Sequence, residues 1–284
     1  MTTTLGQHDV LPLTCTRAGT CCHGKEVWLN PWELACLARA RAMTAQSFRE
    51  RFTCDGGLRL RFDGAPGWKG LPACSQYDAQ RGCVAHALRP LACRLYPLGR
   101  QRRGQAVEYI HDGAAFPCLE GCPQVRTLPQ LSVGEYLAGQ LVAVGESVAD
   151  AYLEVAQDLA EGAFVIVFDS GYARTAAPGL LDRWQRLAVM DPTTRAAAIT
   201  GGFLEALQIP ELDPGDGDAF VSAHGERLRT LAQGSFAGLT DAADLEDASL
   251  IMLAMALQLA HSLGGKAAEF GAVWCQTARA NGLA

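Results

Sequence analysis

Two periodicities divide this chain. After Pro129 the apolar positions fall at helical spacing. Leu141, Val144, Val148, Tyr152, Val155 and Leu159 share one side, while Asp150, Glu154 and Asp158 share another. Further helices are predicted over 178–190, 192–207, 219–233, 242–263 and 266–280, with 209–217 a loop by composition. Before Pro129 the pattern is short and broken. Residues 25–29 suit a brief strand. Asn30-Pro31-Trp32-Glu33 predicts a helix start, with Asn at the cap, Pro in the first turn and Glu reaching back, and the helix runs to about Ala42. A second helix fits 45–52. Leu58, Leu60 and Phe62 alternate with Arg59 and Arg61, as in a half-buried strand, and 106–110 suits another. Residues 64–103 hold four prolines, several glycines and Cys74, Cys83 and Cys93, a stretch that burial alone would not hold together.

These elements predict a small, irregular, cysteine-rich α+β metal-binding domain over residues 1–125, followed by an all-α domain over 126–284, mainly α overall. The length of 284 residues suits one large domain or two of average size, and 49% hydrophobic residues suffice for a core. The longest apolar run, 250–260, is too short to cross a bilayer. The first 14 residues lack the basic start and apolar run of a secretory leader, so a cytoplasmic location is expected. In a reducing compartment thiols or metal thiolates outrank disulfides. Charge divides along the same line. Residues 1–125 carry 15 Lys/Arg and 10 Asp/Glu, and residues 126–284 carry 9 and 20, for net charges of +5 and −11. The acidic part is a poor nucleic-acid binder, because phosphate contact needs clustered positive charge.

Ten of the eleven cysteines lie between residues 15 and 122. Cys is rare and reactive, and packing alone would be served by Ala or Val, so this density points to a metal or iron–sulfur site. Cys74-x8-Cys83-x9-Cys93 is too widely spaced for the paired knuckles of common zinc modules or the tight run of bacterial ferredoxins, so ligands would gather from separate loops. The adjacent Cys21 and Cys22 would bind one small ion only with strain, because neighbouring side chains diverge in most backbone conformations. A polynuclear or paired site suits them better. From Arg81 to Gln105 there are six arginines and no acid, which would favour thiolates and offset cluster charge; a solvated or phosphate-binding basic patch is the alternative. Cys36 lies within a predicted helix and suits a small buried hydrophobe, as does Cys275; Cys54 suits packing before a spare ligand role. The candidate ligands are then Cys15, Cys21, Cys22, Cys74, Cys83, Cys93, Cys118 and Cys122. Eight would serve two four-thiolate centres, and four to six would serve one.

Cys15-Thr-Arg-Ala-Gly-Thr-Cys21-Cys22 resembles the Cys-x2-Cys-x2-Cys-Cys signature of the YkgJ-like cysteine-cluster proteins, described as zinc- or iron-chelating domains. The segment from Cys83 through His86, Arg89-Pro90, Cys93-Arg94 and Tyr96-Pro97 resembles that family's second hallmark, a Cys followed by Arg-Pro-x2-Cys-Arg-x-(Tyr/Phe)-Pro. Cys74 stands where the family has a preceding Cys, and Cys118 or Cys122 where it has a final one. The resemblance covers about residues 10–125. Flagellin lysine N-methylases carry a similar constellation and are regarded as iron–sulfur proteins. Two departures stand out. Ala18 replaces the second Cys of the signature, and His86 replaces the usual aromatic residue before Arg-Pro. His86 is a possible nitrogen ligand, more readily a hydrogen-bonding neighbour. Arg89, Arg94 and Tyr96 are expected around the site, the arginines anchoring loops through backbone carbonyls or supporting the cluster and Tyr96 shielding it from water. His23 and His111 are possible outer partners.

The leading expectation is a cysteine-ligated metal protein, most readily iron–sulfur with one or two 4Fe–4S clusters, alternatively zinc, serving redox, electron-transfer or metal-handling work. The acidic helical part would dock another protein, with no nucleic acid and no membrane involved. Two alternatives stand beside it: a protein lysine N-methylase-like enzyme, and a zinc-stapled interaction module. No Gly-rich nucleotide loop is present, no nucleophile–base pair is evident, and His224 and His261 are isolated, so an enzyme is the weaker reading.

Overall fold

The computed structural model describes residues 2–11, 19–104, 106–112, 127, 130–174 and 179–283. A small strand-containing N-terminal region is followed by a helical C-terminal part, so the protein is mainly helical, as expected. The chain forms two compact units that are interleaved in sequence. One holds Met1–Val27 and Leu60–Glu146, the other Trp28–Arg59 and Ser147–Ala284.

The first unit is built from short pieces. A three-stranded sheet pairs Thr2–Leu5 with Ala106–Asp112, and Ala106–Asp112 with Leu98–Arg103, all antiparallel. The Leu98–Arg103 strand was not legible in the hydrophobic pattern, because Arg100, Arg102 and Arg103 occupy it. Arg100 sits opposite Tyr109 in the register. Glu146 joins that pair, accepting from the Tyr109 hydroxyl at 2.7 Å and meeting Arg100 at 3.4 Å. Beside the sheet, Leu95, Leu98, Val133, Tyr136, Leu137 and Val142 form a buried apolar group between the short helix Leu91–Leu95 and the helix Val133–Gln140. Two further hairpins, Gly64–Pro66 with Pro72–Ala73 and Tyr77–Asp78 with Gly82–Cys83, carry the middle of the unit.

The second unit is a helical assembly. The Ala242–Ser262 helix lies at its centre, and from Met252 to Ala260 every residue is buried. That explains the apolar run at 250–260: a helix enclosed on all sides has no polar face to keep. Tyr152 and Val148 of the long Ala143–Asp169 helix, Trp184 of Leu180–Val189 and Phe220 of Gly217–Phe236 pack in the same core. The Pro31–Ala40 helix starts as expected. Asn30 Oδ1 accepts from the Glu33 amide at 2.9 Å and Glu33 Oε2 from the Asn30 amide at 3.1 Å, a reciprocal cap that contributes about 1 kcal/mol.

Three local expectations need correction. Residues 25–29 form no strand. They run extended, with the Leu60 amide on Val27 and the Leu29 amide on Leu58, and only an isolated bridge from Trp28 to Arg59. The helix expected over 192–207 is two helices, Pro192–Ala197 and Phe203–Gln208. Gly201 and Gly202 take φ of 65° and 80°, a left-handed turn that leads into the second helix. Leu141 does not belong to a continuous apolar helix face. It caps Val133–Gln140 in the left-handed region and is 74% exposed. Among the described residues no helix is long and apolar enough to cross a membrane.

Candidate metal centre

The turn that carries the adjacent cysteines begins at Gly19, whose φ of 77° opens the short helix Thr20–Cys22. The Gly19 carbonyl accepts from the Cys22 amide at 2.9 Å and from His23 Nδ1 at 2.9 Å. A carbonyl only accepts, so Nδ1 carries the proton in this arrangement. His23 is buried. Its ring meets Tyr77 edge to face at 4.9 Å, and its Nε2 fills the place where a side chain of Gly67 would stand. Tyr77 in turn occupies the place of a Gly19 side chain. His23 therefore buttresses the turn behind the cysteine pair, a role that its isolated position in the sequence did not reveal.

A short ladder brings the second segment alongside. The Cys74 amide donates to the Cys22 carbonyl at 2.7 Å, His23 bridges Ala73, and the Gly24 amide donates to Pro72 at 3.0 Å. From Cys74 the chain enters the Tyr77–Asp78 and Gly82–Cys83 hairpin, in which Tyr77 is opposite Cys83 and the Val84 amide bonds Gln76 at 2.9 Å. Three sequence segments thus bring Cys21 into electrostatic reach of Cys22, Cys74 and Cys83, and Cys74 into reach of Cys83. Cys93 lies further along, in the Leu91–Leu95 helix, its amide bonded to Pro90 at 3.0 Å. Cys15, Cys118 and Cys122 lie outside the described residues. Cys36, Cys54 and Cys275 belong to the second unit; Cys36 and Cys275 are buried, and the Cys54 thiol donates to the Arg59 carbonyl at 3.6 Å. No disulfide joins any two of the eight described cysteines.

The sulfurs are held in similar ways. The Gln76 amide donates to Cys74 Sγ at 3.5 Å, and the Ala85 amide, likewise two residues along, lies near enough to Cys83 to favour its thiolate. Such N–H···S contacts favour a thiolate. Cys22 stands close enough to Cys21 to act on its protonation. Protonation follows burial more than the arginines. The Cys22 side chain, burial and the closeness of the Cys22 charge push Cys21 up; Lys25 opposes them. Burial raises Cys74 to about 11, against the Gln76 amide. Burial also raises Cys83, against the Ala85 amide and Arg89. A run of six arginines was expected to promote thiolates; among the described residues, Arg89 acts on Cys83 and Lys25 on Cys21. Arg94 is spent on the carbonyls of Arg89, Ala87 and Gln140, at 3.0, 2.6 and 3.0 Å, and Arg102 bonds Gly104. Lys25, over the Tyr96 ring at 5.2 Å, had no signal in the spacing of the cysteines.

His86 accepts from Arg89 Nη1 at its Nδ1, 3.2 Å away. An arginine only donates, so this bond takes the Nδ1 lone pair and places the proton on Nε2. While it persists His86 is a neighbour and not a donor to a metal. His111 lies in the sheet opposite Leu98 and Thr3.

The donor set suits thiophilic metals in kind: sulfur donors from separate loops, with backbone N–H groups supporting two of them. Gln76, 2% exposed, also keeps a buried side-chain oxygen without a hydrogen-bond partner next to Cys74. Among the described residues, however, no group of three or more His, Cys, Asp or Glu is drawn together closely enough to hold an ion. The described thiols are neighbours that do not by themselves close a coordination sphere.

Residues 14–110, about a third of the chain, match a family model whose signature is CxxCxxCC and whose description is "Putative zinc- or iron-chelating domain". The match spans the cysteine pair, the Cys74–Cys83 hairpin and the Cys93 helix. It supports a cysteine-ligated metal-binding role. No curated protein and no solved structure matches the chain.

Proposed function

We propose that the segment with the zinc- or iron-chelating match is a thiolate metal centre of the iron–sulfur kind, in which Cys21, Cys22, Cys74 and Cys83 are joined by Cys93, Cys15 and one or both of Cys118 and Cys122. The observation that carries this reading is the gathering of four thiols from three segments by backbone bonds of their own, with the Cys74 amide on the Cys22 carbonyl at its centre. An iron–sulfur cluster would supply a one-electron couple at this place. The chain's own residues would then set its surroundings. The Gln76 and Ala85 amides would stabilise sulfur charge, Arg89 and Lys25 would offset it, and Tyr96 would cover one side. The adjacent Cys21 and Cys22 favour a cluster over a lone ion, because two neighbouring sulfurs address different metal atoms with less strain.

The second unit supplies a docking element in this reading. The long Ala143–Asp169 helix contains six acidic residues and no basic one. Asp150, Glu154 and Asp158 stand one turn apart along it, and Arg229 meets Asp158 at 3.7 Å. A basic face on a partner protein would complement the acidic character of this helix, and would bring an electron donor or acceptor to the protein in a cytoplasmic setting. Anaerobic purification followed by quantification of iron, acid-labile sulfide and zinc per chain tests the centre. Iron and sulfide in equal amounts with a broad visible band support the cluster. Zinc with a colourless protein replaces it with a structural ion, and absence of all three removes the reading.

A further inference from the structure

Gln140 is the last residue of the Val133–Gln140 helix and lies 30 residues beyond the end of the family match. Leu141 follows it at φ 53°, ψ 49°, a left-handed conformation that a β-carbon disfavours, and the helix stops there. The carbonyls of a terminal turn have no partner inside the helix. Here the Gln140 carbonyl accepts from Arg94 Nη1 at 3.0 Å, and the Gln140 side-chain oxygen accepts from Arg89 Nη2 at 2.5 Å. Cations at a helix carboxyl end are also favoured by its dipole.

Arg89 belongs to the connection between Cys83 and Cys93, Arg94 directly follows Cys93, and both are bonded back to that connection. Arg89 Nη1 donates to the His86 carbonyl at 2.7 Å. Arg94 donates to Arg89 and Ala87. The outer ends of the two guanidinium groups therefore converge on one residue of one helix. The same helix reaches the end of the hallmark segment, where the Tyr136 hydroxyl donates to the Tyr96 carbonyl at 2.5 Å.

We propose that Gln140 is a positioning residue for the thiol site: by anchoring Arg89 and Arg94 together, it fixes the connection that spaces Cys83 from Cys93. The proposal rests on the metal-centre reading above. It extends the site to a helix outside the matched segment and assigns Arg89 a mechanical role beside its charge. A side chain that accepts hydrogen bonds is required at 140; an apolar one of similar size is not enough.

The test uses the full chain with Gln140→Ala, Gln140→Leu and Gln140→Glu. Each leaves the backbone carbonyl for Arg94, so the unit should still fold. In the metal-free protein, amide exchange at Cys93 and Arg94, whose N–H groups bond Pro90 at 3.0 and 3.1 Å, should speed up in the Ala and Leu variants and return to the parental rate in Glu. In metal-loaded protein, chelator-driven release should be roughly 10-fold faster in Ala and Leu at unchanged metal stoichiometry, and parental in Glu, as for other outer-shell partners of metal ligands. Equal release and equal exchange in all variants would overturn the proposal. So would faster release matched by the same loss of thermal stability in the metal-free state with no rescue by Glu, which is the behaviour of an ordinary packing residue. If the parental protein holds no metal, the metal-centre reading fails, and the exchange rates alone decide whether Gln140 fixes the loop.

Discussion

Cys74 donates its backbone N–H to the carbonyl of Cys22 at 2.7 Å. That bond ties the cysteine pair to the hairpin that ends in Cys83, so a change at one segment is felt at the other. Serine at Cys74 or Cys83 is expected both to lower metal content and to destabilise the first unit, because binding energy at a site assembled from remote turns is folding energy. Serine at Cys36 or Cys275 buries a hydroxyl in the helical unit, costs about 1–3 kcal/mol, and leaves metal content unchanged. Metal analysis and thermal melting of the four variants check this. Metal loss in the Cys275 variant equal to that at Cys83 would contradict it.

The Gly67–His23 contact makes a sharper steric prediction. A β-carbon on Gly67 would lie 2.1 Å from His23 Nε2, so Gly67→Ala must displace the ring that buttresses the cysteine turn. The single variant is expected to lose stability and metal retention. Adding His23→Ala removes the obstacle, so the double variant should be less unstable than the sum of the two singles, a coupling of about 0.5–3 kcal/mol in a double-mutant cycle. Additive losses would show that the two residues are not in contact.

His224 gives the helical unit a pH dependence of known sign. Its Nε2 donates to the Ala206 carbonyl at 2.9 Å, so its Nδ1 accepts from the Tyr152 hydroxyl, also at 2.9 Å. Burial lowers it from 6.5 to about 4, with the Ala206 carbonyl opposing. The unfolded chain binds the proton first as pH falls. The stability from the neutral ring is therefore full above pH 6.5 and is lost between 6.5 and about 4, amounting to roughly 3 kcal/mol. Unfolding of parental protein and His224→Asn across pH 4–7 checks this; the variant's stability should vary less with pH in that window.

The thiols act in the opposite window. Burial raises Cys74 from 9.0 to about 11 in the metal-free fold. The folded state then holds a proton that the unfolded chain gives up, so the metal-free first unit should weaken as pH rises from 9 to about 11. A bound cation reverses this by requiring thiolates, so metal uptake should release protons and acidify an unbuffered solution. Uptake without proton release would mean that these sulfurs are not the donors.

What the sequence made legible was local. The Asn30–Glu33 cap lies within one turn, so its residue types state its geometry. The hallmark residues around Arg89 and Cys93 could be recognised by spacing. What stayed hidden depends on distance or backbone geometry. The backbone bond from Cys22 to Gly19 that closes the cysteine turn needs the left-handed conformation of Gly19. The roles of His23 and Gln140 depend on Gly67 and Arg89, 44 and 51 positions away, and no periodicity encodes such pairings. The Gly201-Gly202 break was masked by apolar residues on either side that keep helical spacing.

The central claim is that sulfurs from separate segments share one bound inorganic centre. Mass-mapped alkylation of freshly isolated protein, before and after anaerobic metal removal, tests it most directly. Cys21, Cys22, Cys74 and Cys83 should resist the reagent together in the first sample and react together in the second, while Cys54 of the helical unit labels alike in both. Equal labelling of the four thiols in the two samples would contradict the claim.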